Sequence, residues 1–245
     1  MTNNPDQENV ILLLTRPLGG NERFCLKIKH LLYSCEILDN PIQKIDFLPS
    51  LSKVNKNSVL IFTSANGLRA AKKHNLINKK CFVVGANTKK IAVSFGYDVL
   101  GFSKDQENLL ELIKSKKPTE SMVHIRGKHT VGNLCDALKR SQFSCLDIIG
   151  YNQEPLKIKK QNLQKIQSGR PVILPVFSTR SAELLQSNLD LTGFNVVAIS
   201  EAVAKIVTGV ELGELVISKK PDLNSMQEAT LAILRRLIKF DGSTS

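Results

Sequence analysis

Hydroxyls, amides and two arginines recur in this chain at one kind of place, the residues just after a short apolar run. Thr15 and Arg16 follow Val10-Ile11-Leu12-Leu13-Leu14, and Thr63, Ser64 and Asn66 follow Val59-Leu60-Ile61-Phe62. Asn87 and Thr88 come after Cys81–Val84, Arg126 and Gly127 after Met122–Ile125, Ser178 and Ser181 after Val172–Phe177, and Ser200 after Val196–Ile199. If these runs are parallel strands, the polar residues stand outside the carboxyl ends, where open α/β sheets bind ligands. Helix N-termini there present N–H groups that favour anions. Hydroxyls, N–H groups and two guanidinium groups make a receptor for carboxylates or phosphates. Taken singly, each residue is first a helix cap. As a set repeated in both halves, they read as a site.

Other chemistries find little support. Gly127-Lys128-His129-Thr130 looks like the end of a phosphate-binding loop, but Met122 stands where that motif needs its first glycine. No Gly-x-Gly-x-x-Gly follows a strand, and Ser64 and Ser178 lack the glycines of a nucleophile elbow. The four histidines form no ligand cluster along the chain, and no metal-ligand spacing appears. The five cysteines are odd in number, widely spaced and without a Cys-x-x-Cys pair, so reduced and mostly buried thiols are expected. No metal and no cofactor is expected.

The chain has 245 residues, 42% of them hydrophobic and 23% charged, as in an ordinary globular protein of one large or two small domains. The early apolar run Val10 to Leu14 is too short to span a membrane and lacks a signal-peptide layout, so a cytoplasmic protein is expected. The net charge of +12 points to an anionic partner without choosing one. Its lysines sit in dispersed pairs such as Lys72-Lys73 and Lys159-Lys160, which also fit a solvated basic surface. With no Trp and three Tyr, stacking residues for a nucleic acid are thin.

The elements that must position the polar groups alternate. Between the short strands, with Glu214–Ile217 as a further one, lie helix-length segments: Asn66–His74, Thr88–Phe95, Asn108–Ile113, Asn133–Arg140, Arg180–Ser187 and Glu201–Val207. Alternation of this kind predicts βαβ units around parallel sheets. Asn87 or Thr88, Ser200 and Asp222 are candidate helix caps, the last before a long C-terminal helix. The pattern is also duplicated. Phe62-Thr63-Ser64 has its counterpart in Phe177-Ser178-Thr179, Val83-Val84-Gly85 in Val196-Val197-Ala198, and Leu14-Thr15-Arg16 in His124-Ile125-Arg126. Spacings of 115, 113 and 110 positions, in one order, predict two similar lobes with a cleft between them. Asp39-Asn40-Pro41 and Tyr151-Asn152-Gln153-Glu154-Pro155 read as extended connectors, one after a strand-like piece in each repeat, and 241–245 as a frayed tail.

The ordered series Leu13-Leu14-Thr15-Arg16-Pro17, Phe62-Thr63-Ser64-Ala65-Asn66-Gly67, Val84-Gly85 with Thr88, Ile125-Arg126-Gly127, Tyr151, Phe177-Ser178 with Ser181-Ala182, Ala198-Ile199-Ser200-Glu201 and Lys220-Pro221 resembles uroporphyrinogen-III synthase. The resemblance runs from about residue 10 to 238 and rests on order and spacing more than on any single motif. It implies two similar parallel-sheet α/β lobes joined by a two-stranded connector. Lobe 1 would comprise 1–36 and 156–245, lobe 2 would comprise 42–150, and 37–41 with 151–155 would connect them.

The substrate implied is hydroxymethylbilane, a linear tetrapyrrole with eight carboxylates. The reaction implied is dehydrative cyclisation with inversion of the last pyrrole, through a spiro intermediate, to uroporphyrinogen III. A basic chain with hydroxyl-rich strand ends suits such a polyanion. Because this substrate closes unaided to the uninverted isomer, positioning outweighs strong acid–base groups, and the lack of a triad is expected.

The resemblance marks Tyr151 as the residue assisting departure of the hydroxyl, Thr88 as facing the cleft, and Arg16 and Arg126 as partners for acetate or propionate groups. A phenol can donate to a leaving oxygen, though Tyr151 also reads as an aromatic packed at a connector. Where some relatives have threonines, this chain has Ala202 and Val203, so Ser200 would supply that hydroxyl. The partner implied is the small-molecule substrate. Neither nucleic acid nor membrane is expected, a monomer is the default, and a transient contact with the preceding pathway enzyme is left open. Two other readings compete: a non-catalytic two-lobe binding protein for a small anion, and a charge-driven nucleic-acid binder, whose affinity would fall steeply with salt.

Overall fold

The computed structural model describes residues 10–17, 19–26, 28, 35–51, 54–130 and 132–241; residues 242–245 of the expected tail lie outside them. In chain order the elements are β1 (Val10–Leu14), α1 (Gly20–Leu26), β2 (Cys35–Asp39), β3 (Gln43–Phe47), β4 (Val59–Phe62), α2 (Ala65–Lys73), β5 (Lys80–Val84), α3 (Ala86–Ser94), β6 (Asp98–Ser103) and α4 (Gln106–Lys116). The second half follows with β7 (Met122–Gly127), α5 (Leu134–Arg140), β8 (Cys145–Pro155), α6 (Lys160–Ile166), β9 (Val172–Val176), α7 (Thr179–Asn188), β10 (Asn195–Ala198), α8 (Glu201–Val207), β11 (Glu214–Ile217) and α9 (Leu223–Asp241).

Two sheets form. One has the order β11-β10-β9-β1-β2 and is parallel throughout. The other has the order β3-β8-β7-β4-β5-β6 and is parallel from β8 to β6. At its edge, Leu48 donates to the Gly150 carbonyl and Leu156 to that of Ile42, so β3 runs antiparallel to β8. The chain divides into two compact units, Met1–Lys44 with Pro155–Ser245, and Ile45–Glu154. Both passages between the units fall at paired strands, one inside β3 and one at the end of β8.

The central strands are apolar without interruption because both faces are covered. In β1, Ile11 and Leu13 enter one core cluster while Val10, Leu12 and Leu14 enter another. In β4, Leu60 and Phe62 point to one side and Val59 and Ile61 to the other. Each unit is therefore a three-layer stack with a core on either face of its sheet, and truncating one such leucine costs about 2–5 kcal/mol. Pro175, inside the central strand β9, is accommodated because β1 pairs only as far as Ile173 on that side.

The expected disposition of the cysteines needs correction. Cys135 and Cys145 form a disulfide, with Cα atoms 5.3 Å apart. Helix α5 turns back at Ser141 into β8, so both residues face the core on one side of the sheet. Cys81 is outside this bridge, and burial pushes its thiol up to about 12. Among the described residues, no helix is long and apolar enough to cross a membrane.

Candidate functional site

In the 45–154 unit, the neighbouring strands β8, β7, β4 and β5 end side by side and carry Tyr151, Arg126 with Gly127, Thr63 with Ser64 and Asn66, and Gly85 with Thr88. Ser64 caps α2, its Oγ accepting the Asn66 N–H at 3.1 Å. The Arg69 guanidinium is held at 2.8 Å by the Asn66 side-chain oxygen. Thr88 does not cap α3 as the sequence suggests. The cap position is Gly85, at φ 86°, and Asn87 and Thr88 lie inside the first turn. With no hydroxyl at its cap position, the start of α3 keeps its N–H groups free of a side-chain cap.

Tyr151 opposes Gly127 in the β7–β8 ladder and is only 5% exposed. It belongs to the core cluster that also holds Leu60, Phe62 and Ile125. Burial raises the pKa of the phenol, while the Ser64 side chain and the Gly127 backbone, hydrogen-bonded to it, pull the other way. The balance keeps it a neutral O–H. Glycine is required at 127, because a Cβ there would lie 2.8 Å from the Tyr151 ring. Ser64, Gly127 and Tyr151 are thus gathered at one point.

Arg126 reaches the Gly127 carbonyl at 3.0 Å, and its Nε lies 3.3 Å from Asp147 Oδ1 without forming an aligned hydrogen bond. Asp147 and His124 complete a polar chain that sequence reading missed. His124 Nδ1 is 2.8 Å from Asp147 Oδ1, and His124 Nε2 is 3.0 Å from the Thr63 hydroxyl. The available signal was a histidine inside an otherwise apolar strand. Its partner could not be read along the chain, because it comes from the register that sets His124 opposite Asp147. Burial of Asp147 favours its neutral form, but its hydrogen bond with His124 and the charge of Arg126 outweigh that and hold its carboxyl below the usual range. Ligand atoms of His124, Cys135 and Asp147 lie within 4.8 Å of one another. Even so, they make a poor metal site: the sulfur is bonded to Cys145, both imidazole nitrogens have partners, and Arg126 shares the carboxylate.

In the other unit, β1, β9 and β10 are neighbours and carry Arg16, Ser178 with Ser181, and Ser200. Ser178 caps α7, accepting the Ser181 N–H at 3.1 Å, and the two hydroxyls lie 2.8 Å apart. The Arg16 guanidinium lies 4.0 Å over the Phe177 ring and donates to the Gly20 carbonyl. Its backbone N–H is held by Asn21, which also bonds Asp39 and the Leu14 carbonyl. Ser200 occupies the cap position of α8, but its hydroxyl makes no capping bond. Each unit therefore sets hydroxyls, helix N-termini and a guanidinium along one edge of its sheet, an arrangement suited to binding carboxylates.

Comparison with known proteins agrees with this architecture. The profile of the family described as uroporphyrinogen-III synthase HemD matches residues 34–228. The solved uroporphyrinogen-III synthetase of Helicobacter pylori is 14% identical, with 92% of this chain and 99% of that one covered and a TM-score of 0.67. A mutant uroporphyrinogen III synthase of Thermus thermophilus is also 14% identical, with 94% and 98% covered and a TM-score of 0.55. At that identity the two structures attest the fold. No curated protein sequence matches. With a profile match over most of its length, on the fold of the solved synthases, the chain belongs to the uroporphyrinogen-III synthase family.

Proposed function

We propose that the chain closes hydroxymethylbilane to uroporphyrinogen III, with strand-end hydroxyls, helix N-termini and arginines binding its acetate and propionate groups. The family match over residues 34–228 carries this reading, and the chemistry of the strand ends supports it. A net charge of +12 draws in a polycarboxylate. Arg16, Arg126, Ser64, Asn66, Thr88, Ser178, Ser181 and Ser200 offer donors to its carboxylates. Tyr151, kept neutral by burial, donates a hydrogen bond to the departing hydroxyl. Loss of water leaves an electrophilic methylene that the substituted carbon of the last ring attacks. Fragmentation and reclosure of the resulting spiro intermediate invert that ring. The work of the protein is to hold the conformer in which this attack outruns closure at the unsubstituted position.

No cofactor enters the proposal. The enzyme acts in the cytoplasm as a monomer and takes its substrate from the preceding enzyme by transient contact. The test is the isomer of the product. Hydroxymethylbilane generated from porphobilinogen is offered to the protein, and the oxidised porphyrins are separated. Predominant isomer III is expected; isomer I alone would reject the proposal.

A further inference from the structure

Thr63, the residue after β4, forms one hydrogen-bonded line with His124 and Asp147 of the adjacent strands β7 and β8. Its polarity follows from what each group can do. A carboxylate accepts only, so His124 Nδ1, 2.8 Å from Asp147, carries a proton. His124 is 2% exposed, and the Asp147 charge is already faced by Arg126 Nε at 3.3 Å. A second proton on the imidazole would bury a cation in excess of the one available anion, at a steep desolvation cost. The imidazole is therefore neutral and its Nε2 is a bare lone pair. The Thr63 hydroxyl, 3.0 Å away, must donate to it. With its one proton committed, the Thr63 oxygen has only lone pairs left for a ligand.

We infer that His124 and Asp147 are positioning residues that fix Thr63 as a hydrogen-bond acceptor, so that it receives a pyrrole N–H of the tetrapyrrole and turns away its carboxylates. This rests on the reading that the strand ends bind hydroxymethylbilane, and it divides the labour among them. Arginines and helix N-termini take the carboxylates, and Thr63 takes the backbone of pyrroles that must be held in the inverting conformer. The logic is that of a carboxylate fixing a histidine tautomer, with a hydroxyl as the output.

The first test is the nitrogen-15 spectrum of His124 in the whole protein, free and saturated with uroporphyrinogen III. A neutral Nδ1–H imidazole in both states is expected. An imidazolium, or an Nε2–H tautomer in either state, overturns the inference, because Thr63 would then be free to donate to a carboxylate. The second test is kinetic. Thr63→Val, which keeps the shape and removes the oxygen, raises KM for hydroxymethylbilane about fivefold to tenfold with a smaller change in kcat, and Thr63→Ser restores it. An unchanged KM in folded Thr63→Val overturns the inference. Wild-type formation of isomer III in the same preparations separates that failure from failure of the functional proposal.

Discussion

The two units repeat one topology and spend it differently. The order β2-β1-β9-β10-β11 of one sheet is matched by β8-β7-β4-β5-β6 of the other, with α1, α7, α8 and α9 answering to α5, α2, α3 and α4. Yet the strand ends diverge. In the 45–154 unit, the residue after β4 is tied through His124 to Asp147, and a neutral tyrosine sits beside the capping serine. In its counterpart, Arg16 stacks on Phe177 after β9, and the Ser178 and Ser181 hydroxyls bond one another while Ser178 caps the helix start. The first arrangement orients single protons; the second offers cationic and hydroxyl surface. A duplicated fold thus carries proton-orienting side chains in one copy and cationic and hydroxyl groups in the other, and under the proposed function the two would divide the labour.

That contrast can be tested by substitution. The largest effect is expected at Tyr151: Tyr151→Phe should lower kcat for isomer III about 100-fold, measured at saturating substrate against the spontaneous background. Next is the approach of the first helix of each repeat to its sheet. Counted from the cap, the third helical residue is Gly67 in α2 and Ser181 in α7. A Cβ at Gly67 would lie 2.4 Å from the Ile125 carbonyl oxygen, so Gly67→Ala should cost about 1–3 kcal/mol in denaturant unfolding. Ser181→Ala, which removes a hydroxyl where a side chain already fits, should cost about 1 kcal/mol.

Smaller effects separate capping serines from the one that caps nothing. Ser64→Ala and Ser178→Ala should each lose about 1 kcal/mol of stability. Ser200→Ala should stay within about 0.5 kcal/mol, its effect appearing instead as a higher KM. The smallest effect concerns acid. Since the folded pKa of Asp147 is depressed, its stabilisation is present above the unfolded value of about 3.9 and lost as pH falls through the folded one. Asp147→Asn should remove that part of the acid unfolding curve, read by circular dichroism from pH 5 downward.

Legibility in the sequence followed burial and distance along the chain. Strands β1, β4 and β9 are apolar runs buried on both faces, and they stand out from composition alone. Strands β3 and β6 are only partly buried and mix polar residues into short patterns, so they gave no signal. Helix α6 buries Asn162 beside Ile166 and has no side-chain cap, which left it unmarked. Tyr151–Pro155 reads as an extended connector and is the second half of one long strand, β8, because β3 pairs with it. At the candidate site, the residues that follow apolar runs were visible one by one. What binds them was not: the His124–Asp147 pair and the Cys135–Cys145 bond both depend on where β8 lies against its neighbours.

The most direct test of this division of labour is a paired kinetic measurement on hydroxymethylbilane, with isomer III as the readout, for Tyr151→Phe and Ser178→Ala. The account predicts a fall in kcat of about 100-fold with KM little changed for the first, and a rise in KM with kcat preserved for the second. Equal kcat losses in both, or a Tyr151→Phe enzyme as fast as wild type, would contradict it.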